Sequence, residues 1–419
     1  MTKYLSELLQ EVPAISLDGL KGVGKTVTAD TLSATRYDLD RELDHTLLAN
    51  NIERLSLDAP PILIDEWQKH PPVWDYVRRA VDKGCAPGSF LMTGSVSCAD
   101  IDIHSGSGRI LRIRMYPLSL AERGLAAPSV SMGALLDAGP FACPLRGETA
   151  LTSDDYIREI LASGLPGIRR YSARIRKKLL DTYIENLLSH EFLQQGIRIR
   201  QPLTLLRWLR AYAAAIATDA GYAEILDAST AGEGDKPSTK TTIAYRKALG
   251  NLWLIDELPT WSEGEDYYAR LKRTPKHYLA DPALTAQLLH FDESDLLKAG
   301  SRIDTRFDLR HGNIIGRLFE SLAQLSLRTY STVNDADLSW LRTANGDHEV
   351  DFILQRGCRL VAFEVKFAPT VRDEDAKHLH WFRHLVGDRL TDAIILTTGP
   401  LAYRRPDGIG VVPLALLGA

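Results

Sequence analysis

The segment GLKGVGKT, residues 19–26, follows a short apolar run at residues 14–17 and precedes a stretch with few helix breakers. This order of strand, loop and helix, with the spacing GxxxxGK(S/T), predicts a phosphate-binding loop. Gly19, Gly22 and Gly24 let backbone N–H groups turn inward around phosphates, and the following helix adds the positive end of its dipole. We expect Lys25 to contact the β and γ phosphates of ATP and Thr26 to bind Mg²⁺. The alternative is a glycine-rich turn without a ligand.

Composition and charge limit the class of protein. The chain has 419 residues, of which 45% are hydrophobic and 25% are charged, so we expect a soluble globular protein of about three domains. The net charge of -4 means that any affinity for nucleic acid has to come from local basic patches. The four cysteines never form CxxC, which argues against a zinc knuckle or a disulfide framework. With neither a signal peptide nor an apolar run of 18 residues, we expect a cytoplasmic protein without a membrane partner.

Two further strands are predicted to end near the phosphate-binding loop. The segment ILIDEW, residues 62–67, is a buried strand followed by two acids. We expect Asp65 to hold Mg²⁺ and Glu66 to polarise the attacking water; the alternative is a strand that ends in two surface acids. The segment FLMTGS, residues 90–95, carries Thr93 and Ser95 at its polar end. Carboxyl ends of neighbouring parallel strands face one crevice, so Thr93 or Ser95 is predicted to sense the γ phosphate.

An arginine-rich strand follows. The segment GRILRIR, residues 108–114, contains Arg109, Arg112 and Arg114. One of them is a candidate arginine finger, acting within the chain or on a neighbouring subunit of a homo-oligomer. We favour Arg109 because it lies at the edge of the preceding glycine-containing loop. The alternative is a set of surface arginines on an edge strand.

These segments together carry a family resemblance. In order and spacing, GLKGVGKT, YDLD, ILIDEW, FLMTGS and GRILRIRMYPLSLAE resemble the prokaryotic AAA-type ATPases that have a C-terminal domain of unknown function numbered 4143. The match covers residue 14 to about residue 123. Leu20 and Lys21 stand where this family usually has an arginine or proline, which leaves the phosphate-contacting positions intact. The resemblance implies an α/β P-loop ATPase domain over residues 1–125 that hydrolyses ATP with Mg²⁺.

The middle of the chain is basic and helical. Residues 126–150, rich in glycine, alanine and proline, are interpreted as a linker. Residues 151–235 are predicted to be helical and contain two stretches without acids, which is typical of contacts with a phosphate backbone or, alternatively, of a solvated helix face. Their basic residues are Arg169, Arg170, Arg174, Arg176, Lys177, Lys178, Arg198, Arg200, Arg207 and Arg210.

Residues 236–310 are predicted to form a winged helix. A helix capped by Ser238 turns at Gly250 and continues into a strand, the order in which a winged helix-turn-helix ends. The resemblance extends to this region. The side chains predicted to face a DNA groove are Thr239, Lys240, Thr242 and Arg246. The alternative is a winged helix that serves as a packing or dimer module.

The C-terminal region, residues 311–419, contains a nuclease-like pattern. EVDFILQ and RLVAFEVKF are predicted to form a hairpin across Gly357 and Cys358. Alternation then divides the side chains between two faces. The predicted core face holds Val350, Phe352, Leu354, Val361, Phe363 and Val365. The opposite face is predicted to hold Glu349, Asp351, Glu364 and Lys366.

This Asp…Glu-x-Lys arrangement resembles the PD-(D/E)xK nuclease-like fold, with Val350 where the pattern has proline. The resemblance implies that Asp351 and Glu364 bind Mg²⁺ or Mn²⁺ and that Lys366 stabilises charge or orients water. Glu320, on the preceding predicted helix, would complete the metal shell. The alternatives are a hairpin with cross-strand salt bridges and a nuclease fold that binds DNA without cutting it.

Two functions of different classes follow from the sequence. The first is an ATP-dependent enzyme or remodeller of DNA, with branched or structured DNA among the candidate partners, in which the ATP state repositions the later domains. The second is a nucleotide-controlled switch or scaffold whose C-terminal domains bind a protein partner without metal chemistry.

Overall fold

The chain divides into two compact units. The computed structural model describes residues 1–96, 108–192, 202–230, 238–262, 274–343 and 345–419, except that nothing is described for 301–313. The first unit is Met1–Pro117 with Leu249–Leu254, and the second is Leu118–Ala248 with Ile255–Ala419.

The first unit contains a parallel sheet between helices. In chain order, its helices and strands are α1 (Thr2–Leu8), β1 (Ala14–Asp18), α2 (Lys25–Asp30), β2 (Thr35–Asp38), α3 (Glu42–Asn50), β3 (Ile62–Asp65), α4 (Pro72–Asp82), β4 (Phe90–Gly94) and β5 (Leu111–Arg114). The sheet has the order β2-β3-β4-β1-β5, with every neighbouring pair parallel. Strands β1, β3 and β4 are buried along their whole length, as expected for inner strands covered on both faces.

The register of this sheet brings the predicted motifs to one edge. Asp18 pairs with Gly94 on one side and with Arg114 on the other, and Asp38 pairs with Asp65. All of these residues lie at the carboxyl ends of their strands. The loop after β1 therefore lies at the same edge of the sheet as the residues that follow β3 and β4.

Helix α4 stabilises this unit through its proline start and its buried apolar face. Proline at its start suits the first helical turn, where its missing N–H would have no intrahelical partner. Its apolar residues Val73, Trp74 and Val77 are fully buried, and the rings of Trp67 and Trp74 lie 4.5 Å apart. Burial of side chains of this size contributes roughly 1.5–3 kcal/mol each.

The second unit is mixed α and β. In chain order, its helices and strands are β6 (Val130–Ser131), α5 (Met132–Asp137), β7 (Gly147–Glu148), α6 (Ser153–Ala162), α7 (Pro166–Arg169), α8 (Ala173–Asn186), α9 (Pro202–Ala214), α10 (Tyr222–Ser229), α11 (Thr239–Asn251, whose end groups with the first unit), β8 (Ile255–Leu258), β9 (Lys276–Leu279), α12 (Pro282–Leu288), α13 (Glu293–Gly300), α14 (Ile314–Val333), β10 (Asp337–Arg342), β11 (Glu349–Arg356), β12 (Arg359–Val365), α15 (Lys377–Val386), β13 (Leu390–Thr397), β14 (Leu401–Arg404), β15 (Gly410–Pro413) and β16 (Leu417–Gly418).

A seven-stranded sheet forms the core of this unit, in the order β10-β11-β12-β13-β15-β14-β7. Strands β12, β13 and β15 run parallel, and the remaining pairs are antiparallel. The predicted hairpin across Gly357 and Cys358 is present, because Arg356 pairs with Arg359 and Phe352 with Phe363. Gly357 has a φ of 60°, which suits the two-residue turn.

The faces of this hairpin differ from the prediction. Phe352, Leu354, Val361 and Phe363 do lie in one apolar cluster, with helix α14. The opposite face is also buried: Ile353 and Ala362 pack against α15, and Val350 belongs to this second cluster rather than to the first. Because helices cover both faces, apolar and polar residues do not alternate cleanly along these strands.

The interpretation of residues 126–150 as a linker is wrong. Strand β7 in this segment pairs with β14 and closes one edge of the large sheet, while β6 pairs with β16. Helix α5 packs on β12 and β13, and Met132, Leu135 and Leu136 are fully buried. The segment is an integral part of the fold that includes the C-terminal region.

Among the described residues, the segment 202–279 contributes three helices and a two-stranded sheet. Helices α9 and α10 pack together, α11 follows, and β8 and β9 then pair antiparallel. Ser238 accepts a hydrogen bond from the Thr241 N–H at 3.2 Å, as predicted for a cap. Residues 193–201 and 231–237, which include Arg198, Arg200 and the predicted flexible turn, lie outside the described residues, as does the connection at 263–273.

The β8–β9 hairpin is attached to helix α14 by a buried ion pair. The Asp256 carboxylate accepts hydrogen bonds from Arg328 Nε and Nη2, both at 3.1 Å, and from Gln324 Nε2 at 2.6 Å. Asp256 is 4% exposed. Such a bidentate, water-excluded pair fixes the orientation of the hairpin against the helix.

In the parts of the chain that the structure describes, every helix is too short or too polar to cross a membrane.

Candidate functional site

The loop after β1 has the backbone geometry that its glycines predict. Gly19, Gly22 and Gly24 have φ values of 150°, 86° and 100°, which are unfavourable for residues with a side chain. A Cβ at Gly19 would also lie 2.3 Å from the Met115 carbonyl oxygen, whereas a Cβ at Gly22 would meet nothing within 4 Å. Gly19 is therefore needed for space as well as for conformation.

Lys25 lies under this loop. Its ammonium donates hydrogen bonds to the carbonyl oxygens of Gly19 at 2.8 Å and Leu20 at 3.0 Å, and the residue is 5% exposed. Burial lowers the pKa of the Lys25 ammonium to about 8, although the carboxylates of Glu66, Asp18 and Asp65 partly counteract this effect. A bound phosphate would favour the charged form of this ammonium, because it places negative charge beside it.

Asp65 is the centre of a hydrogen-bond network. The Thr26 hydroxyl donates to Asp65 Oδ1 at 2.8 Å, the Thr93 hydroxyl also donates to Oδ1, and the Arg36 guanidinium lies 3.4 Å from Oδ2. Asp65 is 4% exposed. The structure therefore brings Thr26 and Asp65, the two predicted magnesium ligands, into direct contact.

Glu66 has an unusual backbone conformation. Its φ of 55° and ψ of 45° lie in the left-handed region, which a non-glycine residue rarely adopts. Its carboxylate accepts hydrogen bonds from the Ser95 hydroxyl at 2.9 Å and from the Gln68 side chain. Strained backbone of this kind occurs where a side chain has to be held in one direction, which is typical of functional sites.

The predicted arginines lie in different places. Arg109 precedes β5 and pairs with Asp82 at 2.8 Å, at the end of α4. This is the amino-terminal edge of the parallel sheet, opposite the loop, so a role for Arg109 as a finger within its own chain does not fit the structure. Arg112 bonds the buried Asp18 carboxylate at 2.7 Å, and Arg114 stacks 5.0 Å from the Trp253 ring. Action of Arg109 on a neighbouring subunit stays a prediction.

The C-terminal candidates also come together. Asp351 Oδ2 accepts a hydrogen bond from the Val365 N–H at 2.9 Å, and Lys366 Nζ donates to Glu364 Oε1 at 2.7 Å. Burial and the Asp351 charge raise the pKa of Glu364 to about 8. Asp351 and Glu364 are 8% and 5% exposed. The two strands of the hairpin thus hold the predicted Asp…Glu-x-Lys residues in one place.

A second lysine lies in the same cluster. The ammonium of Lys276, from β9, is 2.8 Å from Glu320 Oε1, 2.9 Å from Glu349 Oε1 and 3.2 Å from Asp351 Oδ1. Burial acts to lower the pKa of Lys276, but the carboxylates, Glu320 first among them, raise it well above its ordinary value. The ammonium stays charged and neutralises part of the cluster.

Family comparisons match three segments of the chain. Residues 11–123 match the family model described as "AAA domain", and residues 315–417 match "Domain of unknown function (DUF4143)". The chain carries an AAA domain and a DUF4143 domain. Residues 153–295, between them, match "Domain of unknown function (DUF8612)". The AAA domain supports ATP binding and hydrolysis by this chain, typically with Mg²⁺.

Whole-chain relatives extend over most of the sequence. The chain is 24% identical over 377 residues to "Uncharacterized protein Rv2008c" of Mycobacterium tuberculosis, and equally to "Uncharacterized protein Mb2031c" of Mycobacterium bovis. Each match covers 87% of this chain and 73% of the relative. Among solved structures, the Walker-type ATPase PABY2304 of Pyrococcus abyssi is similar at 16% identity and a TM-score of 0.40, covering 68% of this chain and 94% of that one.

The residues of the AAA domain fit ATP and Mg²⁺. Helix α2 begins at Lys25, and the preceding Gly24 has no side chain to cap it, which leaves the first N–H groups of the helix available to a phosphate. Lys25 supplies a buried positive charge, and Thr26 and Asp65 supply the oxygen ligands that Mg²⁺ prefers. Glu66 and Ser95 lie beside them at the same edge of the sheet.

The residues of the DUF4143 domain do not fit a divalent metal ion as they stand. Glu320, Asp351 and Glu364 were predicted to bind the metal, yet the Lys276 ammonium contacts two of them and Lys366 contacts the third. Ammonium and metal ion would compete for the same oxygens. The metal role predicted for these three carboxylates therefore conflicts with this arrangement, and so does the catalysis predicted for Asp351, Glu364 and Lys366.

The predicted DNA-facing residues of α11 divide into two groups. Thr242 is buried, and the Arg246 guanidinium lies 4.3 Å from the ring of Tyr222, so these two side chains face the neighbouring helix instead of solvent. Thr239 and Lys240 are exposed, and so is Lys247, about two turns further along the helix. Among the basic residues upstream, Arg169 makes hydrogen bonds to the Glu159 carboxylate at 2.7 and 3.0 Å.

Two charged residues of these sites, Arg36 and Lys276, are not predicted from the sequence. Arg36 reaches Asp65 from the neighbouring strand β2, which follows from the pairing of Asp38 with Asp65. Lys276 comes from a segment whose sequence, KHYL, carries no recognisable motif. Its signal was present all the same: a lysine on a short strand that is otherwise aromatic and apolar needs a buried partner.

Proposed function

We propose that this chain is an ATPase whose nucleotide state controls the binding of DNA by a winged helix formed by α9, α10, α11 and the β8–β9 hairpin. The observation that carries the proposal is the order of these elements. Three helices followed by an antiparallel hairpin make up the winged-helix arrangement, in which the third helix enters the DNA groove.

The exposed face of α11 has the chemistry for this contact. Lys240 and Lys247 are seven residues apart, and both are exposed, so their side chains lie on one side of the helix. Ile243, between them, is 54% exposed, so its side chain is also accessible on this side of the helix. The segment from residue 238 to residue 255 contains no acid. A helix that carries exposed lysines and no acid of its own favours contact with phosphates.

The AAA domain supplies the control. ATP with Mg²⁺, when bound, supplies a phosphoanhydride whose hydrolysis releases free energy and removes a negative charge from the loop. Lys25 would bind the phosphates, Thr26 and Asp65 would hold the metal, and Glu66, positioned by its hydrogen bond from Ser95, would orient the attacking water. The neighbouring strand β5 ends at Arg114, whose guanidinium stacks on Trp253. Trp253 lies two residues beyond the end of α11, so this contact holds the chain segment that leaves α11 against β5 within the first unit.

The experiment measures affinity for duplex DNA by fluorescence anisotropy over a range of salt concentrations. Lys240→Ala/Lys247→Ala should weaken binding to every duplex sequence and lower the slope of log K against log salt by about 2. The matched control, Lys3→Ala/Lys83→Ala, removes two exposed lysines of the first unit and the same net charge. Equal affinities of the two variants would contradict the proposal.

A second candidate function is a nucleotide-controlled switch that binds a protein partner. The observation that favours it is Lys276, which leaves the DUF4143 domain without an open metal site. This candidate predicts that the chain binds no duplex, branched or single-stranded DNA even at low salt, where phosphate contacts are strongest.

A further inference from the structure

Strand β9 inserts two polar side chains into the carboxylate cluster of the DUF4143 domain. Lys276 and Tyr278 are two residues apart and therefore lie on the same face of the strand. Tyr278 donates a hydrogen bond to Glu320 Oε1 at 2.6 Å, the same oxygen that Lys276 contacts at 2.8 Å. His277, on the opposite face, lies 2.8 Å from the Ala220 carbonyl oxygen. The strand is thus held from both sides.

The Lys276 ammonium is fully used within the cluster. An ammonium has three N–H donors, and three carboxylates lie within 3.2 Å of Lys276 Nζ, those of Glu320, Glu349 and Asp351. The Lys276 side chain is 2% exposed, so water does not replace any of these contacts at low cost. One compact cation surrounded by carboxylate oxygens is also how a hard divalent ion is bound.

We propose that Lys276 is a built-in cation that takes the place of a divalent metal ion in this cluster, so that the DUF4143 domain binds no metal while β9 stays in position. The proposal rests on the contacts of the second unit and is independent of whether the chain binds DNA. It assigns the Asp…Glu-x-Lys residues a structural role, as the partners of two lysines.

The contacts of β9 also indicate which substitution would free the carboxylates for a metal ion. Strand β9 is held independently of Lys276, because it is paired with β8, whose Asp256 is bound by Arg328. We therefore expect that replacing Lys276 by an uncharged side chain removes the cation and leaves β9 in place. Glu364 adds a further oxygen, because its buried Oε2 has no hydrogen-bond partner among the described residues. The variant cluster would then be a set of carboxylates without sufficient positive charge, which is a site for a hard cation.

Terbium luminescence tests this proposal at the site itself. Tb³⁺ is a hard cation that prefers oxygen ligands, and a nearby tryptophan excites its emission. The Trp340 ring lies 5.3 Å from Lys276 Nζ. The full-length chain is titrated with Tb³⁺ without nucleotide, as wild type, Lys276→Gln and Lys276→Met. Glutamine can still donate hydrogen bonds to the carboxylates, so Lys276→Gln is the variant more certain to fold.

The proposal predicts Tb³⁺ emission excited through Trp340 in Lys276→Gln. It predicts no emission excited through Trp340 in the wild type. The signal should be lost in Lys276→Gln/Trp340→Phe and in Lys276→Gln/Asp351→Asn, which separates it from Tb³⁺ bound near Trp67 of the AAA domain. Mn²⁺ should raise the Tm of Lys276→Gln more than that of the wild type. Wild-type emission that disappears in Trp340→Phe would overturn the proposal, and this arm needs no Lys276 variant to fold. Folded Lys276→Gln that binds neither Tb³⁺ nor Mn²⁺ would overturn it as well.

Discussion

The low pKa of Lys25 makes nucleotide affinity depend on pH in a way that can be calculated. Burial lowers the pKa of this ammonium to about 8 in the chain without nucleotide. Phosphates bind the charged form, so the sign is fixed. As the pH rises through 8, Lys25 loses its proton and the affinity for ATP falls.

The magnitude follows from the fraction of Lys25 that carries a proton. With a pKa of about 8, roughly ten elevenths of the molecules are charged at pH 7 and roughly one eleventh at pH 9. The apparent affinity scales with the fraction that is competent to bind, so it should fall about tenfold between these two pH values. An ordinary lysine, with a pKa of about 10.4, would be almost fully charged at both and would give almost no change.

The assay is equilibrium binding of a fluorescent ATP analogue with Mg²⁺ at pH 7, 8 and 9 and constant ionic strength. Lys25→Arg is the matched control, because a guanidinium stays charged across this range. It should bind more weakly than the wild type and show a flat profile. A flat wild-type profile, or an equally steep one for Lys25→Arg, would refute the assignment of the pH dependence to Lys25.

Three further predictions test the two units. Glu66→Gln should bind ATP normally and hydrolyse it at least about a hundredfold more slowly; normal turnover would exclude Glu66 as the water-orienting residue. In the same domain, Gly19→Ala should lower the Tm more than Gly22→Ala, since it alone adds a clash with Met115 to the strained φ. Arg328→Met should cost about 3–5 kcal/mol in urea unfolding because it leaves Asp256 buried and unpaired, whereas a half-exposed pair such as Arg342 with Asp219 is worth at most about 1 kcal/mol.

Local patterns in the sequence were sufficient to predict the nucleotide edge. The glycine spacing fixes the loop after β1, and the runs ILID and FLMTG are inner strands that end in polar residues. Because parallel strands end at the same edge, the proximity of Asp65, Glu66 and Ser95 followed from the sequence alone. Strand direction also argues against Arg109 as an arginine finger within its own chain. Arg109 precedes β5 and therefore lies at the amino-terminal edge of the sheet, opposite the phosphate-binding loop.

Contacts between distant segments could not be predicted in this way. Strands β6 and β7 have two residues each, too few to show a period, and they are ordered by pairing with β16 and β14 from the end of the chain. The Asp351 cluster was predicted as a pattern within one hairpin. The cation that neutralises this cluster, Lys276, is 75 residues away from Asp351 in sequence, and it lies on β9, whose Tyr278 is hydrogen-bonded to Glu320 of α14.

The proposed function requires that ATP turnover in the AAA domain be coupled to DNA at helix α11. Steady-state ATP hydrolysis, measured with increasing duplex DNA at two salt concentrations, tests this coupling. We predict that DNA raises the rate for the wild type at low salt, less so at high salt, and not for Lys240→Ala/Lys247→Ala. A wild-type rate that stays constant at every DNA concentration, with no DNA bound at low salt, would contradict it.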